Sequence, residues 1–268
     1  WTFVSCFAKR ALMGEDSMLK KGTISRRLCE HLTERADKLF IEDARIGLGY
    51  VGIALNNESM GLAALLRSGL KSGCSLLREA GMLSGNRASA ILNMLIEGEN
   101  PLEKAVGLAA ANAVISPESQ EVEQDTIALM NLTPRDRVAM VGYFRPLATE
   151  IREKGIKLSV IEKNSERAEI LSEQDRRRAL KECTVAIITA TAILNNTIEE
   201  VLNGLDSPRH VAIIGPSTPL CREVFADTPV THLGGSVVID KEKVMQIISE
   251  AGGTPAMRPY VRFVNILL

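Results

Sequence analysis

The sequence predicts an α/β protein, in which a small α+β domain is followed by a doubly wound, mostly parallel sheet covered by helices. The chain has 268 residues, more than one domain usually holds, and 46% of them are hydrophobic, enough for a sizeable core. Helical and short β-prone patterns come first. After residue 124, apolar runs alternate with charged helical segments, which is typical of α/β domains. We place the boundary near 117–124, which divides the chain into domains 1–120 and 121–268.

The first domain is predicted to begin with an amphipathic helix and an antiparallel meander. Between residues 17 and 39, apolar residues recur at helical spacing among Lys, Arg and Glu. The β-prone runs at 44–55 and 60–66 are separated by Asn56-Asn57-Glu58, which is a turn signal.

Two further helices are expected after residue 86, separated just before Pro101. Proline suits the first turn of a helix, and Asn100 suits the N-cap position before it. The second helix is rich in Ala and Gly between residues 105 and 113, which allows another backbone to approach closely. That backbone could belong to this chain or to a partner subunit, so a homo-oligomer stays open.

The second domain is predicted to contain five strands, joined by polar segments that include helices at 196–205 and 241–253. The strands are near-continuous runs of Val, Ile and Ala, which indicates burial on both faces and hence a parallel sheet. They are RVAMVGYF at 137–144, KLSVIE at 157–162, TVAIITATAI at 184–193, HVAIIGPST at 210–218 and VTHLGGSVV at 230–238.

The carboxyl ends of these strands define the predicted binding edge. Right-handed crossovers bring all carboxyl ends of a parallel sheet to one edge, and ligands of open α/β sheets bind there at the switch in strand order. We therefore expect the following residues to converge: Gly142, Tyr143 and Phe144, Glu162, Thr189 to Thr191, and Gly215 to Thr218.

The turn GPST after the fourth strand is the most distinctive of these ends. Gly215 permits a tight turn and Pro216 stiffens it, while Ser217 and Thr218 offer hydroxyl and N–H groups to an anion. Alternatively, Ser217 or Thr218 only caps the next helix. The two interpretations are compatible, because a helix amino end itself attracts anions.

The other ends carry weaker signals. The string VGYF lacks the further glycines of a dinucleotide fingerprint, although Glu162 lies 20 residues after Gly142, where a ribose-binding acid would be expected. Thr189 and Thr191 are either ligand-facing hydroxyls or ordinary β-formers. Asn196 is a candidate both for the ligand site and for the N-cap of the following helix.

The composition disfavours several functional classes. The net charge is −1 and aromatic residues make up 4% of the chain, so neither nucleic acid nor an anionic membrane is an expected partner. No apolar run is long enough to span a membrane. The five cysteines are scattered and form no CxxC pair, which favours a cytoplasmic location.

Metal and hydrolase motifs are also absent from the sequence. The three histidines, His31, His210 and His232, are far apart, and no HxxxH, HExxH or Cys/His cluster occurs along the chain. We read Cys221 as a small buried hydrophobic residue. No GxSxG nucleophile elbow is present.

Five strings together resemble the putative heavy-metal chelation family, a domain of unknown function, over residues 17–250. They are NPLEKAVGLAAANAV at 100–114, VGYF at 141–144, VIE at 160–162, ITATAILNNTIEEVL at 188–202 and IIGPSTPL at 213–220. The GPSTPL and NxxxxxxGLAAxNA elements, in that order, are the most specific. The string TATAI departs from the TGTTL-like string usual in the family.

The resemblance implies a domain similar to the small N-terminal domain of enolases, then a Rossmann-like domain, with a site in the cleft between them. Its motif residues fall here on Asn100, Gly107, Asn112, Gly142, Phe144, Glu162, Thr189, Thr191, Asn196, Thr197, Gly215, Pro216, Ser217, Thr218, Pro219 and Gly235.

Our leading hypothesis is a protein that binds a small anionic or metal-chelating ligand in this cleft. Residues 215–218 would hold the anion and Glu162 would supply a carboxylate, while Asn100 and Asn56 would reach in from the first domain. The sequence leaves the cofactor unknown; if a metal takes part, a metal complex or an oxygen-ligated ion fits better than a structural zinc site, and a nucleotide-type cofactor is less favoured. The alternative is an enzyme that uses a nucleotide-type cofactor on the Rossmann-like edge, with the first domain as a lid.

Overall fold

The computed structural model describes residues 18–70, 73–115, 126–162 and 170–268. The predicted domain boundary at 117–124 lies outside these residues. The described residues of the first part of the chain form one antiparallel sheet, four α-helices and one 3-10 helix. They are α1 (Thr23–Ala36), β1 (Ile41–Ile46), β2 (Tyr50–Leu55), β3 (Met60–Ala64), a 3-10 helix (Arg67–Gly69), α2 (Ala88–Leu92), α3 (Met94–Glu97) and α4 (Pro101–Val114).

The three strands form the expected meander, in the order β1-β2-β3. Helix α4 packs directly on β3, and Gly61 lies at this contact. A Cβ atom at Gly61 would lie 2.2 Å from both Ala109 O and Ala113 N. The alanine residues of α4 between 105 and 113 are buried, so the small side chains of this helix serve contacts within the chain.

The second part of the chain forms a six-stranded sheet in the order β5-β4-β6-β7-β8-β9. Strands β4 to β8 are parallel and β9 is antiparallel, which confirms the α/β prediction. The elements are α5 (Thr126–Met130), β4 (Arg137–Val141), α6 (Arg145–Glu153), β5 (Lys157–Ile161), α7 (Glu173–Glu182), β6 (Val185–Thr189), α8 (Thr191–Leu194), α9 (Ile198–Asn203), β7 (His210–Ile214), a 3-10 helix (Arg222–Phe225), β8 (His232–Val238), α10 (Lys241–Ser249), α11 (Thr254–Met257), a 3-10 helix (Arg258–Tyr260) and β9 (Val261–Leu267).

The sheet is covered on both faces, as the unbroken apolar runs predict. In β6, Val185 and Ile187 pack into a cluster that includes residues of α5 and α6. Ala186 and Ile188 pack into the opposite cluster, which contains α8, α9, α1 and α4. The N-terminal helices therefore share one core with the parallel sheet.

The structure differs from the predictions in three respects. Strand β6 ends at Thr189 instead of continuing to residue 193, because Ala190 already has helical dihedral angles. Asn196 is not the N-cap of α9; it has a left-handed φ of 53°, and Thr197 occupies the cap position. Strand β9 was not predicted.

Two side chains attach α1 to the second part of the chain. The carboxylate of Glu199, which is buried, accepts a hydrogen bond from Ile24 N at 2.9 Å. The amide of Asn203 both donates to Leu19 O at 2.8 Å and accepts from Leu19 N at 3.0 Å. Both contacts lie at the amino end of α1.

An ion pair between a buried carboxylate and a partly exposed guanidinium lies at the amino-terminal edge of the parallel sheet. The guanidinium of Arg209 donates to both carboxylate oxygens of Asp136, at 3.0 and 2.8 Å. Thr133 and Thr184 donate to the same carboxylate, and Arg209 also donates to Met130 O at 2.8 Å. The hydrogen bond from Arg209, above all, holds the pKa of Asp136 well below its usual range.

Candidate functional site

The strand order of the large sheet reverses between β4 and β6. From β4, the chain passes to β5 on one side and then to β6 on the other. Numbered from β4, the parallel strands follow the order 2-1-3-4-5, one of the two common doubly wound arrangements, in which ligands bind outside the carboxyl ends at the point of reversal. We define the switch-point crevice as the region beside residues 142–144 and 189–191, where this rule places the ligand.

Glycine is required on the β4 side of this crevice. Gly142 has a φ of 84°, and a Cβ atom there would lie 2.8 Å from Thr189 Cγ2. The next residue, Tyr143, donates its N–H to Glu162 Oε2 at 3.2 Å. The ends of β4, β5 and β6 therefore meet, as the sequence predicts for Gly142, Glu162 and Thr189.

The β6 side of the crevice contributes two hydroxyl groups. Thr189 Oγ1 and Thr191 Oγ1 lie 3.0 Å apart, and Thr191 N donates to Thr189 Oγ1 at 3.3 Å. Both residues are half-buried. Because either hydroxyl can donate in their mutual hydrogen bond, the pair can reorient toward an anionic or a cationic group.

Phe144 contributes to the crevice through its position in the backbone. It is the N-cap residue of α6, and its carbonyl oxygen accepts from Ala148 N at 2.9 Å. Its ring packs against the core cluster on one face of the sheet. The amino end of the nine-residue helix α6 therefore lies at the same edge as Glu162, where main-chain N–H groups favour an anion.

The GPST turn, residues 215–218, follows β7 at the same edge. Ser217 Oγ accepts from Ala64 N at 2.8 Å, and Thr218 Oγ1 donates to Gly215 O at 2.8 Å. Ser217 is 2% exposed and Thr218 is 3% exposed. Both hydroxyls therefore have hydrogen-bond partners within the protein. No observation tests the predicted contact of these hydroxyls with an anion, so it stays a prediction.

Open space remains beside Gly215 itself. Its φ is 122°, and a Cβ atom there would have no neighbour within 4 Å among the atoms that the structure describes. Pro216, the next residue, accepts a 3.4 Å hydrogen bond from Ser236 Oγ. The backbone of the turn at Gly215, rather than its two hydroxyls, is the part with room for a ligand.

Asn112 joins the first part of the chain to the GPST turn. Its amide nitrogen donates to Leu62 O at 2.8 Å and to Ser217 O at 3.2 Å. Its Oδ1 is buried and has no hydrogen-bond partner among the described residues. A buried acceptor without a donor is costly, so this atom can receive a donor from a water or a ligand.

Two candidates in the second domain do not line the crevice. Gly235 lies within β8, where a Cβ atom would come within 2.9 Å of the Leu220 side chain, so its lack of a side chain serves packing. Asn196 lies between α8 and α9, beyond the end of the crevice-lining turn.

The two asparagines expected to reach in from the first domain lie away from this edge. Asn100 caps α4 through hydrogen bonds from Leu102 N and Glu103 N, about 18 Å along the helix from Asn112. Asn56 accepts from Phe40 N at the turn of the β2–β3 hairpin, while Ala64, which contacts the GPST turn, lies at its open end.

A separate cluster of potential metal ligands lies between α1 and the loop after β7. His31 Nε2, Cys221 Sγ and a Glu223 carboxylate oxygen are all within 4.8 Å of one another. Residues 31 and 221 are far apart in sequence, so no spacing motif could reveal the cluster. Burial raises the pKa of the Cys221 thiol to about 12. The pKa of Glu223 is lowered, chiefly because the backbone N–H of Glu223 donates a hydrogen bond to its carboxylate.

The fold and the switch-point crevice define an open, doubly wound α/β protein with a compact N-terminal part packed against its sheet. Residues 125–267 match the DUF364 family and residues 29–115 match DUF4213, both described as "Putative heavy-metal chelation". The first match covers more than half of the chain, so the protein belongs to this family, as the sequence resemblance indicated.

Solved structures of similar fold come from the same family. A DUF364 protein of unknown function from Pyrococcus horikoshii superposes with a TM-score of 0.80 at 21% identity, covering 91% of this chain and 100% of that chain. One from Desulfitobacterium hafniense superposes with a TM-score of 0.78 at 19% identity, covering 92% and 99%. An uncharacterized protein of Methanocaldococcus jannaschii is 24% identical in an alignment of 246 residues that covers 86% of this chain and 91% of that protein.

Not one of the helices within residues 18–70, 73–115, 126–162 and 170–268 combines the length and apolar character needed to cross a bilayer.

Proposed function

We propose that this protein binds a small anionic or metal-chelating ligand at the switch-point crevice, in the cleft between its two parts. The observation that carries the proposal is the meeting of three strand ends at the reversal of strand order. Gly142 packs on Thr189 there, and Tyr143 N donates to Glu162. In open doubly wound sheets, this position is where ligands bind.

The chemistry of the crevice matches an anion that carries a metal. The amino end of α6 and the hydroxyls of Thr189 and Thr191 offer donors to anionic oxygens. Glu162 offers a carboxylate oxygen to a cation at the same edge. These are oxygen ligands, so they fit a metal complex or an oxygen-ligated ion better than a structural zinc site. The family description, heavy-metal chelation, agrees with such a ligand.

The first part of the chain supports the proposal by covering one side of this edge. Ala64 and Asn112 both bond to Ser217, which holds β3 and α4 against the GPST turn. Gly215, which has open space beside it, belongs to the same turn as Ser217, and Asn112 carries an unpaired buried Oδ1. A ligand in the cleft would therefore contact both parts of the chain.

A second candidate is an enzyme with a nucleotide-type cofactor. The strand order favours it, because the same 2-1-3-4-5 arrangement holds a mononucleotide cofactor at its switch point in other proteins. The absence of a GxGxxG string after β4 weighs against a classical dinucleotide site. The mass of a bound molecule separates the two candidates.

The test is native mass spectrometry with metal analysis on untagged protein purified without chelators. We expect a bound small molecule or metal, lost in a Thr189→Val, Thr191→Val double variant that removes both crevice hydroxyls. Thr228→Val is the matched control, because its half-buried hydroxyl bonds to Phe225 O and Val230 N, which precede β8 and are not part of the crevice. Equal retention by all three proteins would contradict the proposal, and an adenosine-containing mass would favour the second candidate.

A further inference from the structure

A second site, away from the switch-point crevice, is formed by α1 and the loop that follows the GPST turn. His31 projects from the exposed side of α1, and Cys221 immediately precedes the 3-10 helix that carries Glu223. His31 Nε2 lies 3.8 Å from Glu223 Oε2, and Cys221 Sγ lies 3.4 Å from the same oxygen.

These distances agree with those around a small metal ion. Ligand atoms bound to a tetrahedral zinc at about 2.0–2.3 Å lie about 3.3–3.8 Å from one another. Both distances to the Glu223 oxygen already fall in that range. The remaining pair, His31 Nε2 and Cys221 Sγ, is no farther apart than 4.8 Å, so a rotamer adjustment of the exposed His31 completes the arrangement.

The surroundings suit a cation that keeps one open position. A pocket of about 300 Å³ adjoins His31 and Glu223, and it is large enough for water or a small ligand. Three carboxylates line this pocket, those of Glu30, Glu223 and Asp227, against the single guanidinium of Arg27. Arg222 donates to Leu267 O, so its guanidinium is held at the end of β9.

We propose that His31, Cys221 and Glu223 bind a borderline-soft divalent metal ion such as Zn²⁺, with a fourth position open to the pocket. One nitrogen, one sulfur and one oxygen ligand form the mixed set that such ions accept. In the metal-free protein, the Cys221 thiol donates a hydrogen bond to the Glu223 carboxylate. As the metal–sulfur bond forms, the S–H bond breaks and its proton is released to solvent. The proposal does not depend on a ligand in the switch-point crevice.

The test uses Co²⁺ as a spectroscopic substitute for Zn²⁺ in the full-length chain. Cys6→Ser and Cys74→Ser form the background, so that neither of these thiols contributes, and Cys183→Ser in that background is the matched thiol control. We expect one equivalent of Co²⁺ to produce a thiolate-to-cobalt charge-transfer band, and one equivalent of Zn²⁺ to remove it. The band should persist in the Cys183→Ser control.

Adding Cys221→Ser should abolish the band, while Glu223→Gln and His31→Gln should each weaken Co²⁺ binding at least tenfold. Glu223 and His31 are exposed, so their variants should fold normally, which circular dichroism checks. Zn²⁺ should also raise the melting temperature of the background protein, but not that of the Cys221→Ser variant. Absence of the band from the background protein, or its persistence after Cys221→Ser, would overturn the proposal.

Discussion

Replacing Asp136 with Asn should destabilise the protein more than any single charge removal on its surface. An Asn amide group cannot satisfy the donors around the carboxylate, because Arg209, Thr133 and Thr184 all donate to it. The Asp136 side chain is 7% exposed and that of Arg209 is 39% exposed. Breaking a fully buried pair costs about 3–5 kcal/mol, and the partial exposure of Arg209 reduces our expectation to about 2–3 kcal/mol.

The assay is equilibrium unfolding in urea at pH 7, with the folded fraction monitored by circular dichroism. For a chain of this length, the expected loss of free energy of unfolding lowers the melting temperature by roughly 4–12 °C. Asp43→Asn is the matched control, because it removes a carboxylate from the exposed pair with Arg45. We expect the control to change the free energy of unfolding by less than about 0.5 kcal/mol.

At low pH, the wild-type protein and the Asp136→Asn variant should approach the same free energy of unfolding. The folded-state pKa of Asp136 is lowered, chiefly by Arg209, so this carboxylate stabilises the fold above the pKa of an unfolded aspartate. That stabilisation is lost as the pH falls below about 4 toward the folded-state pKa. Equal stability of Asp136→Asn and the wild-type protein at pH 7 would refute the reasoning.

Three further predictions concern packing, a buried hydroxyl and a buried histidine. Gly61→Ala should cost about 3 kcal/mol or more, since its Cβ would meet the α4 backbone, whereas Gly73→Ala should be nearly neutral in the same urea assay. Ser217→Ala should cost about 1–3 kcal/mol by leaving a main-chain N–H unpaired; unchanged stability would count against that contact. Burial lowers the pKa of His232 from 6.5 to about 4, so the unfolded chain binds a proton before the folded one does. Stability should therefore fall by about 3 kcal/mol between pH 7 and 4, and His232→Gln should flatten this dependence.

The parallel sheet could be predicted because its strands are buried on both faces. Runs such as VAII at 185–188 contain no polar residue, and this pattern alone indicates a sheet covered by helices on both faces. Strand β9 could not be predicted in the same way. It is the antiparallel edge strand, its burial pattern is mixed, and Arg262 and Asn265 interrupt its apolar residues.

The convergence of strand ends was also predictable, but the partners of individual side chains were not. The topology rules bring Gly142, Glu162 and Thr189 together without any knowledge of side-chain contacts. The hydroxyl of Ser217 has two possible uses, binding an anion or bonding to a neighbouring backbone. Only the position of Ala64 shows that the backbone of β3 is within reach.

The cluster of His31, Cys221 and Glu223 lay beyond sequence analysis for a similar reason. Each residue type is ordinary where it occurs, and the metal-ligand spacing arises only when α1 packs against the loop after β7. A contact between distant parts of a chain leaves no trace in local spacing.

The most direct test of the central claim is hydrogen–deuterium exchange on the protein as isolated, compared with protein stripped of small molecules by unfolding and refolding. A ligand in the switch-point crevice predicts slower exchange in the isolated protein at residues 142–148 and 189–192. Exchange at the opposite edge, around Arg137 and Thr184, should be the same in both samples. Identical exchange at the crevice in the two samples, or protection confined to another region, would contradict the account.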